Sequence, residues 1–337
     1  MTLKILVTGG AGYIGSHCCK LLAKQGYAPI VYDNLSTGHR GFVQWGKLVE
    51  GDIRDKARLE AVLAAEQPVA VMHFAALALV GESVCHPERY WSVNGAGTYA
   101  LLEAMRKTDC NNLIFSSTCA IYGKPDKLPI DEGAPKVPIN PYGASKLTAE
   151  MMMESFDRAH GLRSVRLRYF NAAGADPDCD VGEDHESETH LIPLILDVAL
   201  GRRPEISVFG NDYPTPDGTA IRDYVHVLDI AEAHIAALDH LIAGGETIAL
   251  NLGTGRGASV SEVVAAVESV TGCLINKVHV PRRPGDPHEL WADPMLAEEK
   301  LKWRAQKPLE IAVEDAWRWH QMRFGKEVCK EGGGRRM

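Results

Sequence analysis

The sequence has no CxxC pair, no apolar run near the roughly 20 residues of a membrane span, no excess of positive charge and no internal repeat. Each absence closes off a class. Eight scattered cysteines (Cys18, Cys19, Cys85, Cys110, Cys119, Cys179, Cys273, Cys329) in 337 residues point to reduced thiols and a cytoplasmic protein rather than a disulfide framework. A formal net charge of −8 argues against nucleic acid or an anionic membrane as partner, while leaving room for a local basic pocket. The first apolar run, "LKILVTGG", is too short for a signal h-region. What is present is ordinary globular composition, 45% apolar and 24% charged, enough for a sizeable core.

Short, nearly continuous apolar runs at 4–7, 29–32, 69–76, 112–117 and 164–170 predict buried parallel strands. Helical patterns at 13–25, 55–66, 95–107 and 142–159 lie between them, the first and last ending near Gly26 and Gly161. Alternation of this kind predicts an α/β protein with a Rossmann-type doubly wound parallel sheet, here over 1–170. Beyond 171, proline, glycine and polar residues become denser, which predicts a smaller α/β substrate domain over 171–327. Part of roughly 220–250 is expected to pack back on the first domain, and 328–337 to be a disordered tail.

"VTGGAGYIGSH" follows the first strand, with Gly9, Gly12 and Gly15 spaced as GxxGxxG. Such a turn lets backbone approach a pyrophosphate and aims a helix N-terminus at it. The second strand ends in Asp33, whose carboxylate suits both ribose hydroxyls and would repel a 2′-phosphate, so NAD is expected over NADP despite Arg40 nearby. Asp52 and Ile53 in "GDIRD" suit an adenine edge and face, or else Asp52 caps the next helix. "HFAA" brings Phe74 and Ala75 where a cofactor would pass, and His73 reads as a core histidine.

"NPYGASK" places Tyr142 and Lys146 four apart on a helix, where an ammonium can stabilise a phenolate. "FSSTCAIYG" puts Ser116, Ser117 and Thr118 at the carboxyl edge of a central strand, with one hydroxyl available to relay a proton to Tyr142. With "YDNLSTGH", "LRYFNAAGA", "HLIP", "VFGNDYPTPDGTAIRDYVHV", "NLGTG" and "PRRPGD", the chain resembles the extended short-chain dehydrogenase/reductases, and within them is similar to the UDP-glucose (UDP-galactose) 4-epimerase family over essentially its whole length. The resemblance implies Tyr142 as base, Lys146 as its pKa-lowering and ribose-binding partner, and Thr118 as relay. It adds Tyr13, Ile14, Asn34, Asn94, Ser116 and Tyr169 to the cofactor's contacts, and His190, Leu191 and Phe209 to the substrate's. It also implies a homodimer paired through 95–107 and the Tyr142 helix. Ala78 stands where some members carry lysine.

Related 4,6-dehydratases place Asp-Glu after the relay residue, where this chain has Cys119 and Ala120, so chemistry confined to C4 of a UDP-hexose is expected. Arg222 and Arg283 suit the substrate pyrophosphate, with Asn171 as a further donor and Asp286 on the uridine ribose. Leu290 takes the place of a pocket-closing residue that is tyrosine in some members, which predicts activity on UDP-GlcNAc as well as UDP-glucose. The histidines and carboxylates of "EDHESETH" (183–190) lie on one polar loop without rigid spacing, and no metal is expected there. The alternatives are a UDP-xylose/UDP-arabinose epimerase, a dehydratase or decarboxylase, and a non-catalytic NAD-sensing protein.

Overall fold

A computed structural model describes residues 2–283 and 286–331. Its centre is a seven-stranded sheet of β1 (Lys4–Thr8), β2 (Ala28–Asp33), β3 (Lys47–Glu50), β4 (Ala70–His73), β5 (Asn112–Thr118), β6 (Arg163–Tyr169) and β7 (Ile248–Leu252). The order is β7-β6-β5-β4-β1-β2-β3 and every pairing is parallel. This is the expected doubly wound sheet. β3 is the short run ahead of "GDIRD", and β7 is the last strand recruited. The direction of winding reverses between β1 and β4, whose ends are level, with Thr8 beside His73. A crevice opens at such a switch point.

Both faces of the sheet are covered at its centre, which is why β1, β2 and β4 are nearly continuous in apolar residues rather than alternating, while β6 carries Arg166 and Arg168. Ile5 and Val7 face a core shared with α1 (Tyr13–Lys24) and the helix Val227–Ile242, while Leu6 and Ile30 face α2 (Lys56–Glu66), α3 (Thr98–Lys107) and α4 (Pro141–His160). The helix expected from 95 differs at its start, because a wide π turn over Trp91–Gly97 precedes α3. A Cβ at Gly97 would lie 2.6 Å from Ile53 Cγ2, so this turn sits directly on the end of the β3 connection.

A second core gathers Ile192, Ile195, Leu196, Val208, Val263, Val267 and Val313 from the helices Leu191–Ala199, Val260–Thr271 and Leu309–Glu331 and the strand Ile206–Phe209. The segment expected to be unstructured from 328 is helical as far as Glu331. The rest of it, 332–337, lies outside the described residues, as do Pro284 and Gly285 of "PRRPGD". Among the described residues, no helix is long and apolar enough to cross a membrane.

Candidate active site

The glycine turn closes over the end of β1. Gly9 has φ +74°, and a Cβ on it would lie 2.5 Å from the Ala75 nitrogen. A Cβ on Gly15 would lie 2.3 Å from the Gly9 carbonyl oxygen. Neither position has room for a side chain, so backbone from β1 and β4 meets in close contact; Phe74 and Ala75 both donate to the Thr8 carbonyl, at 2.9 and 3.1 Å. α1 begins at Gly12 with no side-chain cap and no acidic residue in its first turn. Its orphan N–H groups and positive dipole end are thus left for an anion. Tyr13 turns away and donates to Gly174 O at 2.5 Å, and Ile14 packs on the core.

Asp33 is buried, and burial pushes its carboxyl up although the backbone N–H groups of Leu35 (2.8 Å) and Ala11 (3.0 Å) both donate to it. One N–H on each oxygen leaves lone pairs for two hydroxyls of a ribose. Arg40 is held by Glu50 at 2.5 Å and stays exposed. Asp52 differs from the expectation in its partners: Arg54 grips both its oxygens and Asn34 donates to it at 3.0 Å. Those bonds, Arg54's first, hold its carboxyl well below the usual range, and the residue that caps α2 is Asp55. Ile53 is buried in the core. His73 is the core histidine expected, bonded to Thr8 and Thr98 at 2.7 and 3.0 Å. Asn94, in the π turn, accepts from Leu77 N (2.9 Å) and donates to Leu77 O and Ser145 Oγ (both 3.0 Å). With both donors engaged, it braces the crevice wall against α4.

α4 begins at "NP": Asn140 caps Gly143 N at 2.8 Å and Pro141 fills the first turn. Gly161 ends it in the left-handed region. Gly143, which sequence reasoning passed over, decides where the helix sits. A Cβ there would lie 2.5 Å from Ala120 O, so α4 rests directly on the turn after Thr118. Tyr142 is thereby brought to Thr118, and Lys146 to the strand end, where its Nζ donates to Ser116 O at 2.8 Å and lies 4.7 Å from the centre of the Phe115 ring. Ser116 Oγ bonds the Tyr169 hydroxyl.

Burial pushes the Tyr142 phenol up to about 12, opposed by its hydrogen bond with Thr118. Burial pulls Lys146 down to about 7, opposed by the charge of Glu150 one turn along. Glu150 was also missed. It is buried and bridged by Arg168 at 2.6 Å, with Ser117 donating at 2.6 Å and Arg168 reaching on to Tyr122 at 2.8 Å. The signals were a glutamate four residues after Lys146 and an arginine inside an apolar strand.

Across the crevice, Arg222 donates to Asp286 at 2.6 Å and to the Ile221 and Pro287 carbonyls at 2.7 and 2.8 Å. Its positive charge reaches Cys119, the residue after Thr118. The Arg283 guanidinium stacks on the Phe209 ring at 3.9 Å. Asn171 N donates to Asp223 O at 2.9 Å, which fixes it beside Arg222 in the chain's path. Leu290 lies in the strand Glu289–Leu290 paired with Ile221–Arg222, and packs against the cluster of Ile121, Tyr122, Ile130, Phe170 and Ala292. His190 and Leu191 stand at the start of the helix Leu191–Ala199. In the loop before it, Glu183, His185, Glu188 and His190 bring one ligand atom each within 4.8 Å of one another.

The NAD dependent epimerase/dehydratase family matches residues 5–253. A UDP-glucose 4-epimerase of Rhizobium leguminosarum bv. trifolii is 52% identical over 316 residues, 94% of this chain and 97% of that one. The structure superposes with a TM-score of 0.93 on the UDP-glucose 4-epimerase of Brucella ovis in complex with NAD, 53% identical, covering 94% of this chain and 98% of that one. The UDP-Glc/GlcNAc 4-epimerase of Campylobacter jejuni gives a TM-score of 0.84 at 38% identity, with 95% and 99% covered. By sequence, sheet order and site geometry alike, this chain belongs to the NAD dependent epimerase/dehydratase family, where it is similar to the UDP-glucose 4-epimerases.

Proposed function

We infer that the protein interconverts UDP-glucose and UDP-galactose by oxidation at C4 to a ketone and re-reduction on the opposite face. The observation that carries this reading is the meeting of Thr118, Tyr142 and Lys146 at the strand end beside the switch point, with no carboxylate following Thr118. Cys119 cannot replace one, because burial pushes its thiol up to about 12 and removes it as an acid or base near neutrality. An elimination at C5 and C6 therefore has no catalyst there. The open N-terminus of α1, the cramped Gly9 and Gly15 and the two-sided Asp33 fit NAD. Bound NAD supplies the acceptor and later the donor of the hydride.

The chain's own residues move the proton. Tyr142 receives it from the C4 hydroxyl, with Thr118 in position to orient that hydroxyl. From a pKa of about 12, ionising Tyr142 at pH 7 requires about 7 kcal/mol of charge stabilisation. One positive charge at ~4 Å in an effective dielectric of ~20 supplies about 4 kcal/mol. Lys146 alone is not enough, so Tyr142 acts as a base only with a second positive charge beside it. Arg222, Arg283 and Asp286 would grip the nucleotide, leaving the hexose free to turn.

Leu290 occupies less space than a tyrosine ring, which supports a pocket wide enough for a 2-acetamido group. Exposed Trp91, Tyr99 and Met151 along the π turn, α3 and α4 support a homodimer through these helices, which a monomeric mass in solution would overturn. Seven free cysteines among the described residues support a cytoplasmic location.

The test is incubation of purified protein with UDP-galactose and no added acceptor. UDP-glucose should appear without net accumulation of NADH; a 4-keto-6-deoxy product, or no turnover of any UDP-sugar, would defeat the reading. In the same assay UDP-GlcNAc should also turn over, and Leu290→Tyr should lower the UDP-GlcNAc to UDP-glucose activity ratio at least about 10-fold. An unchanged ratio would remove Leu290 as the residue that sets pocket width.

A further inference from the structure

We propose that Glu183, His185, Glu188 and His190 form a structural zinc site. The ligand atoms are Nδ1 of each histidine and one carboxylate oxygen of each glutamate, all within 4.8 Å of one another. His185 Nδ1 is 3.3 Å from both Glu183 Oε1 and Glu188 Oε2, and His190 Nδ1 is 3.3 Å from Glu188 Oε1. A tetrahedron with metal–ligand bonds of about 2.0–2.1 Å has edges of about 3.3 Å. The two Glu188 distances run to different oxygens, so with one oxygen per glutamate two of the four histidine–glutamate separations already have the length that a tetrahedral ion would impose.

The fourth separation, His190 Nδ1 to Glu183 Oε1, is 2.5 Å. These two buried atoms are ion-paired with each other and with His185 and Glu188, but none of those contacts has the geometry of an ordinary hydrogen bond to them. Glu183 itself is only 6% exposed. In the metal-free chain a proton on His190, opposed by burial but favoured by Glu183 and Glu188, serves this close pair; a zinc ion displacing that proton would be held by the same nitrogen and oxygen. The contrast lies nearby. Asp176, Asp178 and Asp180 also converge, but Lys20 Nζ fills their centre at 2.6, 2.8 and 2.8 Å. No side-chain ammonium fills the centre of the first cluster among the described residues.

Two imidazoles with two carboxylates favour zinc over magnesium or calcium, which take oxygen ligands. Four protein ligands leave no open position, so the ion would cross-link rather than catalyse. The loop is held from behind: Trp319 Nε1 donates to Glu183 O at 2.9 Å, and His39 bonds Asp184 O at 2.6 Å. Zinc would thus tie the entry of the helix Leu191–Ala199 to the helix Leu309–Glu331 and to the segment after β2. This inference stands apart from the sugar-nucleotide reading.

Untagged protein should be treated with chelator, desalted and titrated with ZnCl2 or MgCl2. Zinc should remain at about one equivalent per chain after gel filtration and raise Tm by about 3 °C or more, with no effect of magnesium. Cobalt(II) in place of zinc should give the visible absorption of a tetrahedral site, a readout that needs no variant. His185→Ala combined with Glu188→Gln should retain less than about a tenth of an equivalent. Wild-type protein that fails to hold zinc, octahedral cobalt spectra, or zinc retained by the double variant would each overturn the proposal.

Discussion

Tyr142→Phe is expected to lower UDP-galactose turnover by about 10³-fold while leaving the fold and the bound NAD in place. The variant removes one oxygen. The ring keeps its edge-on contact with Tyr90, whose centre lies 6.4 Å away, and the backbone stays fixed by Gly143 on Ala120. The lost hydrogen bond is the one with Thr118, which retains a backbone donor from Ala120 at 3.1 Å. Removing a phenol whose ionisation burial disfavours also leaves no unpaired charge behind. Turnover of UDP-galactose, NAD content and urea midpoint, measured on the same preparation, separate the chemistry from the fold. A loss below about 10-fold with NAD retained would assign the proton to another group.

The parts of this site that could be read from sequence are those encoded locally. The apolar runs predict buried strands because the central strands of the sheet are covered on both faces, as Ile5 and Leu6 show by facing opposite cores. The Tyr142–Lys146 pairing needs only helical spacing, and Asp33 needs only a strand end. What stayed hidden depends on contacts between distant segments. Gly143 matters because Ala120 lies beneath it, and Glu150 because Arg168 meets it from β6. Arg222 and Asp286 pair across 64 positions, so two residues expected to wait for a nucleotide already hold each other. The sequence leaves Asp52 between an adenine contact and a helix cap; the cap is Asp55, and nothing in "GDIRD" shows that Arg54 would fold back on Asp52. The loop 183–190 has no regular spacing in the sequence, and its backbone is held by Trp319 and His39 from distant segments.

Lys146→Met is expected to make the cofactor-free protein more stable near pH 6.5 while lowering turnover by at least about 100-fold. Lys146 is 3% exposed, and burial brings its folded-state pKa to about 7, against about 10.4 in an unfolded chain. Between those values the unfolded chain binds one more proton than the folded one at this position, so stability rises with pH across the window. Below pH 7 the folded state takes up the proton as well and the burden on the fold approaches its largest, on the order of 4–5 kcal/mol from the shift. Methionine removes that burden but leaves the Ser116 carbonyl without its donor, a loss of about 1–3 kcal/mol. The charge term wins, by roughly 2 kcal/mol. Urea midpoints of both proteins at pH 6.5 and 9.5 should show the variant ahead at the lower pH and its lead narrowing at the higher one. If the variant were weaker at pH 6.5, or its lead constant with pH, Lys146 would not be the strained group. Glu150 is the charge that opposes burial at the ammonium; on the proposed mechanism a phenolate at Tyr142 would add to it, so the residue that burdens the fold would be the one that helps Tyr142 ionise.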